Sequence, residues 1–88
     1  MVGGLDIESL LGSRARIRIL RYLLEVGEAN ITRISREARV HQAIARKYLE
    51  DLARMGLVEE VRIGRMRIYR VVWSDTRIRI LKSLITQG

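Results

Sequence analysis

The sequence predicts a mainly α fold with one small β-hairpin, folded as a single domain over residues 1–88. Three observations predict it. Apolar residues recur at helical spacing over 13–26, 31–55 and 75–86, each run preceded or opened by residues that cap helices well. Between the second and third runs, 57–72 reads as two strands rich in isoleucine, valine and tyrosine that turn near Gly64-Arg65. A chain of 88 residues builds one modest core, so assembly with a second chain is a natural supplement.

In chain order, Met1 to Gly4 reads as a mobile terminus and Leu5 to Leu11 as one short helix. Ser13 caps the next helix and Gly27 ends it. Ile17, Leu20 and Leu24 form one apolar stripe of that helix, and Ala15, Ile19, Tyr22, Leu23 and Val26 form another on nearly the opposite side. A helix buried by one small core needs only one such face, so the second asks for a partner. Asn30 then caps a short helix with Ile31, Ile34 and Ala38 on one side, and Val40 sits alone in a polar break as a turn residue that plugs a core.

Over 42–55, Ile44, Ala45, Tyr48, Leu49, Leu52 and Met55 fall on one stripe, and Gln42, Ala43, Arg46, Lys47, Glu50 and Arg54 cover the rest. Gly56 supplies a left-handed exit. Leu57 to Arg62 and Met66 to Val72 form the hairpin, decorated by arginines at 62, 65, 67 and 70. Ser74-Asp75-Thr76 offers caps for the last helix, in which Ile78, Leu81 and Ile85 face one way and Ile80 and Leu84 the other. Residues 74–88 echo 13–27, so the two helices share a two-faced pattern, although one echo does not make a repeat array.

The formal net charge is +7, and of the 17 basic residues only Lys47 and Lys82 are lysine. That surplus favours a polyanionic partner, with nucleic acid the commonest and a membrane surface the competitor. The arginine excess suits bidentate phosphate contact, or reflects a GC-rich genome. With no long apolar run and no signal-peptide pattern, a soluble cytoplasmic protein is expected. The chain lacks cysteine, which excludes disulfides, thiol redox sensing and cysteine metal sites, and a single histidine supports metal binding poorly. No paired nucleophile and base and no glycine-rich phosphate loop is present, so neither catalysis nor a cofactor is expected.

Ile31 to Val40, Gln42 to Leu49, Leu52 and Gly56-Leu57-Val58 together resemble the winged helix-turn-helix of small bacterial and archaeal transcription regulators, with the arsenical-repressor-like group nearest. The resemblance covers roughly 10–72 and implies a winged helix-turn-helix with an added C-terminal helix, the 57–72 hairpin being the wing. It implies double-stranded DNA as the partner, and a homodimer built on the first and last helices. The surplus apolar residues Ile19, Tyr22, Leu23, Val26, Ile80 and Leu84 are what such an interface requires, although the last helix packing across its own domain is the alternative.

A helix fits the major groove with its N-terminal residues at the base edges. Gln42 pairs with adenine or helps cap the helix, Ala43 allows close approach and touches a thymine methyl, and Arg46 meets a base or a phosphate. Lys47 and Arg54 serve phosphates, with Glu50 supporting Arg54 across one turn or reading a cytosine. Thr32 and Arg33 anchor a phosphate at a helix start, and Arg65 or Arg67 meets phosphate from the wing. His41 is a helix cap or a phosphate contact. Tyr22 and Trp73 are expected as buried packing aromatics rather than the walls of an effector pocket, and no small-molecule effector is identifiable. Two other functions fit the same residues: a weakly specific, architectural DNA-binding protein, and a winged-helix module that binds only protein.

Overall fold

A computed structural model describes residues 13–86, so the helix expected over Leu5 to Leu11 lies outside the described residues. Among those residues the chain runs α1 (Arg14–Val26), β1 (Glu28–Asn30), α2 (Ile31–Ala38), α3 (Gln42–Arg54), β2 (Val58–Ile63), β3 (Met66–Val71) and α4 (Thr76–Thr86). The strands form one antiparallel sheet in the order β1-β3-β2. The architecture is the expected winged helix-turn-helix, with four helices and a small sheet among the described residues, the hairpin being the wing.

Local chemistry sets the element ends. The Ser13 hydroxyl accepts from the Arg16 amide at 3.3 Å, and the Asn30 side chain accepts from the Arg33 amide at 2.8 Å, each satisfying a donor that the first helical turn leaves open. Gly27 closes α1 at φ 86, its amide donating to the Leu23 carbonyl at 2.7 Å. Gly56 leaves the exit of α3 at φ 80. These positive φ values are open to glycine at little steric cost.

The turn between α2 and α3 uses a residue that is not glycine. Arg39 adopts φ 56, a left-handed conformation that costs of order 1 kcal/mol. Its surroundings hold it there. The Arg39 amide donates to the Arg36 carbonyl and the Val40 amide to the Ser35 carbonyl at 3.0 Å, while the Ser35 hydroxyl donates to the Val40 carbonyl. Arg18 of α1 donates to the Ala38 carbonyl at 2.8 Å, and Val40 is buried as the plug.

The core runs through every helix and the sheet. Leu20 and Leu24 of α1 share one buried cluster with Ile34, Leu49, Leu52, Leu57 and with Ile78, Leu81 and Ile85 of α4. Two expectations for α1 need correction here. Ile19 and Leu23, expected at a dimer surface, are both 0 % exposed inside their own domain. The reason is position: α1 touches α2, α3, α4, β1 and β3, so a helix surrounded by this many elements buries more than one stripe. Ile44, expected on the buried stripe of α3, is 47 % exposed, because Ala45 takes the core-facing place in that first turn.

β1 was not foreseen. A three-residue strand has no readable period, and its identity depends on distant partners, with Ala29 opposite Tyr69 and Asn30 opposite Ile68. Tyr69 is the pivot of the sheet: fully buried, it donates its hydroxyl to Glu60 across the hairpin at 2.6 Å. Burial first, and then that hydrogen bond, push the Tyr69 phenol up from 10.0 to about 12. The same hydrogen bond is the largest cause holding the Glu60 carboxyl below its ordinary range.

A raised phenol pKa favours the neutral folded form, so its contribution is present below pH 10.0 and lost as pH rises through about 12. Wild type is therefore expected to lose stability over that window relative to Tyr69→Phe, measured by urea unfolding at several pH values. At neutral pH the phenylalanine variant should be less stable by about 1 kcal/mol, because Glu60 loses its donor.

α4 is tied to the end of α3. Asp75 accepts from the Arg77 amide at 2.9 Å, and Arg77 reaches both Asp75 at 2.6 Å and the Met55 carbonyl at 2.8 Å. The Arg77 guanidinium holds the Asp75 carboxyl down at about 2. Ile80 and Leu84 stay half exposed on the outer face. Trp73, expected to be buried, is 43 % exposed, and the Lys82 ammonium lies 5.3 Å from its ring centre. Among the described residues no helix is long and apolar enough to cross a membrane.

Candidate nucleic-acid interface

The starts of α2 and α3 and the tip of the wing enclose an open cleft of about 550 Å³. Its walls carry five guanidinium groups, from Arg33, Arg36, Arg46, Arg65 and Arg67, together with Thr32, Asn30 and Gln42, and no carboxylate. Two helix N-termini border it, and their unpaired amides add positive potential to that of the side chains. Such a cleft attracts a polyanion and has the planar donors that pair bidentately with phosphate.

Of the residues expected to meet DNA, Thr32, Arg33, Gln42, Arg46, Arg65 and Arg67 are brought together here. Ala43 and Lys47 are exposed on α3 but do not line the cleft. His41 caps α3, its Nδ1 accepting from the Ala43 amide at 3.4 Å. Gln42 is thus the first helical residue rather than the cap. Arg54, twelve residues further along α3, lies about 18 Å away at 1.5 Å per residue.

Glu50 does not support Arg54 as expected. Arg54 pairs with Asp51, one residue nearer, and Glu50 instead reaches Arg67 of the wing at 3.5 Å. Arg67 also lies 3.8 Å from Glu60, and its side chain is only 22 % exposed. Its hydrogen bond with Tyr69 is the largest cause that raises its pKa, with Glu60 and Glu50 adding to it. Arg67 therefore fixes the wing against α3 while forming part of the cleft wall. Arg36, not among the residues expected to meet DNA, also lines the cleft. Its signal was available: it stands three residues after Arg33 and four after Thr32, on the same side of α2.

A second depression of about 410 Å³ lies between α1 and the end of α2, lined by Arg18, Arg21, Tyr22, Glu25, Glu37, Ala38 and Arg39. Its mixed charges offer no field of one sign.

The family model described as the sugar-specific transcriptional regulator TrmB matches residues 13–74, which contain the two cleft helices and the whole wing. The chain belongs to the TrmB family. The fold of this TrmB-family domain is shared by solved structures at low identity. The AntR antimony-specific transcriptional repressor superposes with a TM-score of 0.77 at 22% identity, over 90% of this chain and 70% of that one. The transcriptional repressor PagR of Bacillus anthracis gives 0.70 at 20% identity, over 86% and 85%. Sso10a-2, a DNA-binding protein from Sulfolobus solfataricus, gives 0.63 at 22% identity, over 81% and 74%. No curated protein matches the chain. This TrmB-family chain is a DNA-binding transcription regulator with a winged-helix fold.

Proposed function

We propose that the chain is a homodimeric, sequence-specific regulator without enzymatic activity, acting in the cytoplasm on double-stranded DNA. α3 lies in the major groove and the wing lies along the backbone or minor groove. The arginine cleft carries this reading, because five guanidiniums with no carboxylate among the lining residues match a phosphate backbone. Gln42 and Arg46, at the start of α3, face base edges, where glutamine pairs with adenine and arginine with guanine. Thr32, Arg33 and Arg65 hold phosphates around them. His41, Ala43 and Lys47 lie beside the cleft, with Arg54 as an outlying phosphate contact.

The dimer surface includes Val26, Ile80 and Leu84, which are 44 %, 50 % and 51 % exposed, together with the half-buried Tyr22 of α1. Ile19 and Leu23 support that surface from inside the core. A two-fold pair of α3 helices spaced by roughly 34 Å would read half-sites one helical turn apart.

The test is selection from a randomised duplex pool at moderate salt, followed by sequencing. Enrichment of a two-fold symmetric motif is expected. Binding without enrichment would make the chain a weakly specific DNA-coating protein, and no binding would direct attention to protein partners. A single monomer mass in sedimentation at micromolar concentration would reject the dimer.

A further inference from the structure

The tip of the β2–β3 hairpin is apolar where solvent alone would favour polar residues. Ile63 and Met66 stand directly opposite each other on either side of Gly64-Arg65, and they are 62 % and 50 % exposed. Opposed residues in an antiparallel pair project to the same side, so the two side chains form one apolar point. Exposed hairpin ends are ordinarily finished with charges or turn-forming polar residues, which keep them from sticking to other surfaces. Two large apolar groups at the most projecting position therefore indicate a surface that covers them.

The surroundings of the tip select that surface. Arg65 stands in the turn between the apolar pair, and Arg62 directly precedes it. Arg62 leans on Glu60 at 3.7 Å, whereas Arg65 has no ion-pair partner among the described residues. Met66 and Arg65 also line the arginine cleft, so the apolar point continues the surface proposed above for DNA. A second copy of the same tip is a poor occupant, because a two-fold contact would bring Arg65 against its own equivalent. A duplex provides both requirements at once, phosphates for the arginines and base faces for the apolar groups.

We propose that Ile63 and Met66 form a wedge that enters the minor groove of the bound duplex, partly unstacks one base step and bends the DNA. The proposal rests on the DNA-binding reading above and specifies what the wing does within it. Paired strands are 4.7–4.9 Å apart axis to axis, and their own thickness makes the hairpin end wider than a minor groove of about 6 Å, so it widens the groove as it enters. Ile and Met are among the side chains that unstack steps in this way, and the bend brings more of the duplex against the arginines. Arg65, between the two, holds the flanking phosphates. The wedge also creates sequence preference without a hydrogen bond: the step beneath it should be a flexible pyrimidine–purine step, which unstacks most readily.

The experiment uses a duplex taken from the randomised pool and labelled with a donor and an acceptor dye at its two ends. Wild type is expected to bring the ends together, with a bend of about 20–90°. The double variant Ile63→Ser with Met66→Ser should still bind duplex in a salt-dependent way, because every arginine remains, but with a slope of log affinity against log salt no steeper than that of wild type, and it should leave the duplex straight. It should also lose the preference for a pyrimidine–purine step under the wing. Met66→Leu, which keeps an apolar group, should retain the bend. Both positions are exposed, so an unchanged thermal melt should accompany these effects.

A wild-type complex with straight DNA, or a serine variant that bends it as wild type does, would overturn the wedge. Loss of self-association in the serine variant would assign the pair to a protein contact and would also overturn it. If wild type bound no duplex at all, the DNA-binding reading itself would fail, an outcome distinct from binding without bending.

Discussion

Alanine at Arg33, Arg46 and Arg65 together is expected to weaken binding to duplex DNA by at least about a hundredfold at moderate salt. Each contact of this kind contributes roughly 1–3 kcal/mol, and every 1.4 kcal/mol is about tenfold in affinity. The three arginines reach the same cleft from α2, α3 and the wing, and none has an ion-pair partner among the described residues. They are exposed, so their removal should leave the fold intact. The salt dependence separates their roles. Each lost phosphate contact should reduce the slope of log affinity against log salt by about 0.9, so loss of all three gives a change of about 2–3 if all meet phosphate. A smaller change, with relaxed sequence preference at one position, would assign Arg46 to a base edge. Fluorescence anisotropy across a salt series on matched and mismatched duplexes reads both quantities.

Leu23→Ala is expected to have the largest effect on stability, a loss of about 2–5 kcal/mol. Leu23 is fully buried among core residues, so the truncation removes packing and leaves a cavity. Domains of this size have a total stability of about 5–15 kcal/mol, and the melting temperature should fall by at least about 10 °C. The loss should appear at every protein concentration, because the cavity is inside one chain. Leu84→Lys, on the outer face of α4, provides the contrast: it should leave the chain folded and shift sedimentation toward the monomer. A concentration-dependent loss for Leu23→Ala would return that residue to the interface.

The contrast between Leu23 and Leu84 also shows which parts of the molecule were legible in the sequence. Asn30, Val40, Gly56 and Gly64-Arg65 act within a few residues of themselves, through a cap, a plug, a left-handed exit and a turn, and each did so where the sequence placed it. The outward face of α4 could be read from its period, because among the described residues that helix buries Ile78, Leu81 and Ile85 and leaves Ile80 and Leu84 half exposed. α1 does not obey this logic. Surrounded by other elements, it hides Ile19 and Leu23 on the face that looked surplus, and periodicity carries no information about how many neighbours a helix has.

The site was legible in the same way. Sequence reasoning named Thr32, Arg33, Gln42, Arg46, Arg65 and Arg67 among its DNA contacts, and these six line one cleft, whereas His41, Ala43, Lys47 and Arg54 lie outside its lining. The Glu50–Arg67 pair joins residues 17 positions apart and depends on the angle between hairpin and helix, so the nearer Arg54 looked like the natural partner. β1 was hidden for the same reason, since its pairing with β3 spans about forty residues. The apolar tip was visible as two strand residues, yet only their opposed register and exposure give them a role beyond the strand.

The proposed function depends on the arginine cleft being the surface that meets DNA. The most direct measurement is amide hydrogen exchange of the whole chain, free and bound to a duplex selected from the randomised pool. Slowed exchange is predicted at the start of α2, the start of α3 and the tip of the wing, with α4 unchanged. Protection confined to α4 and the outer side of α1, with the cleft exchanging as in the free protein, would contradict it.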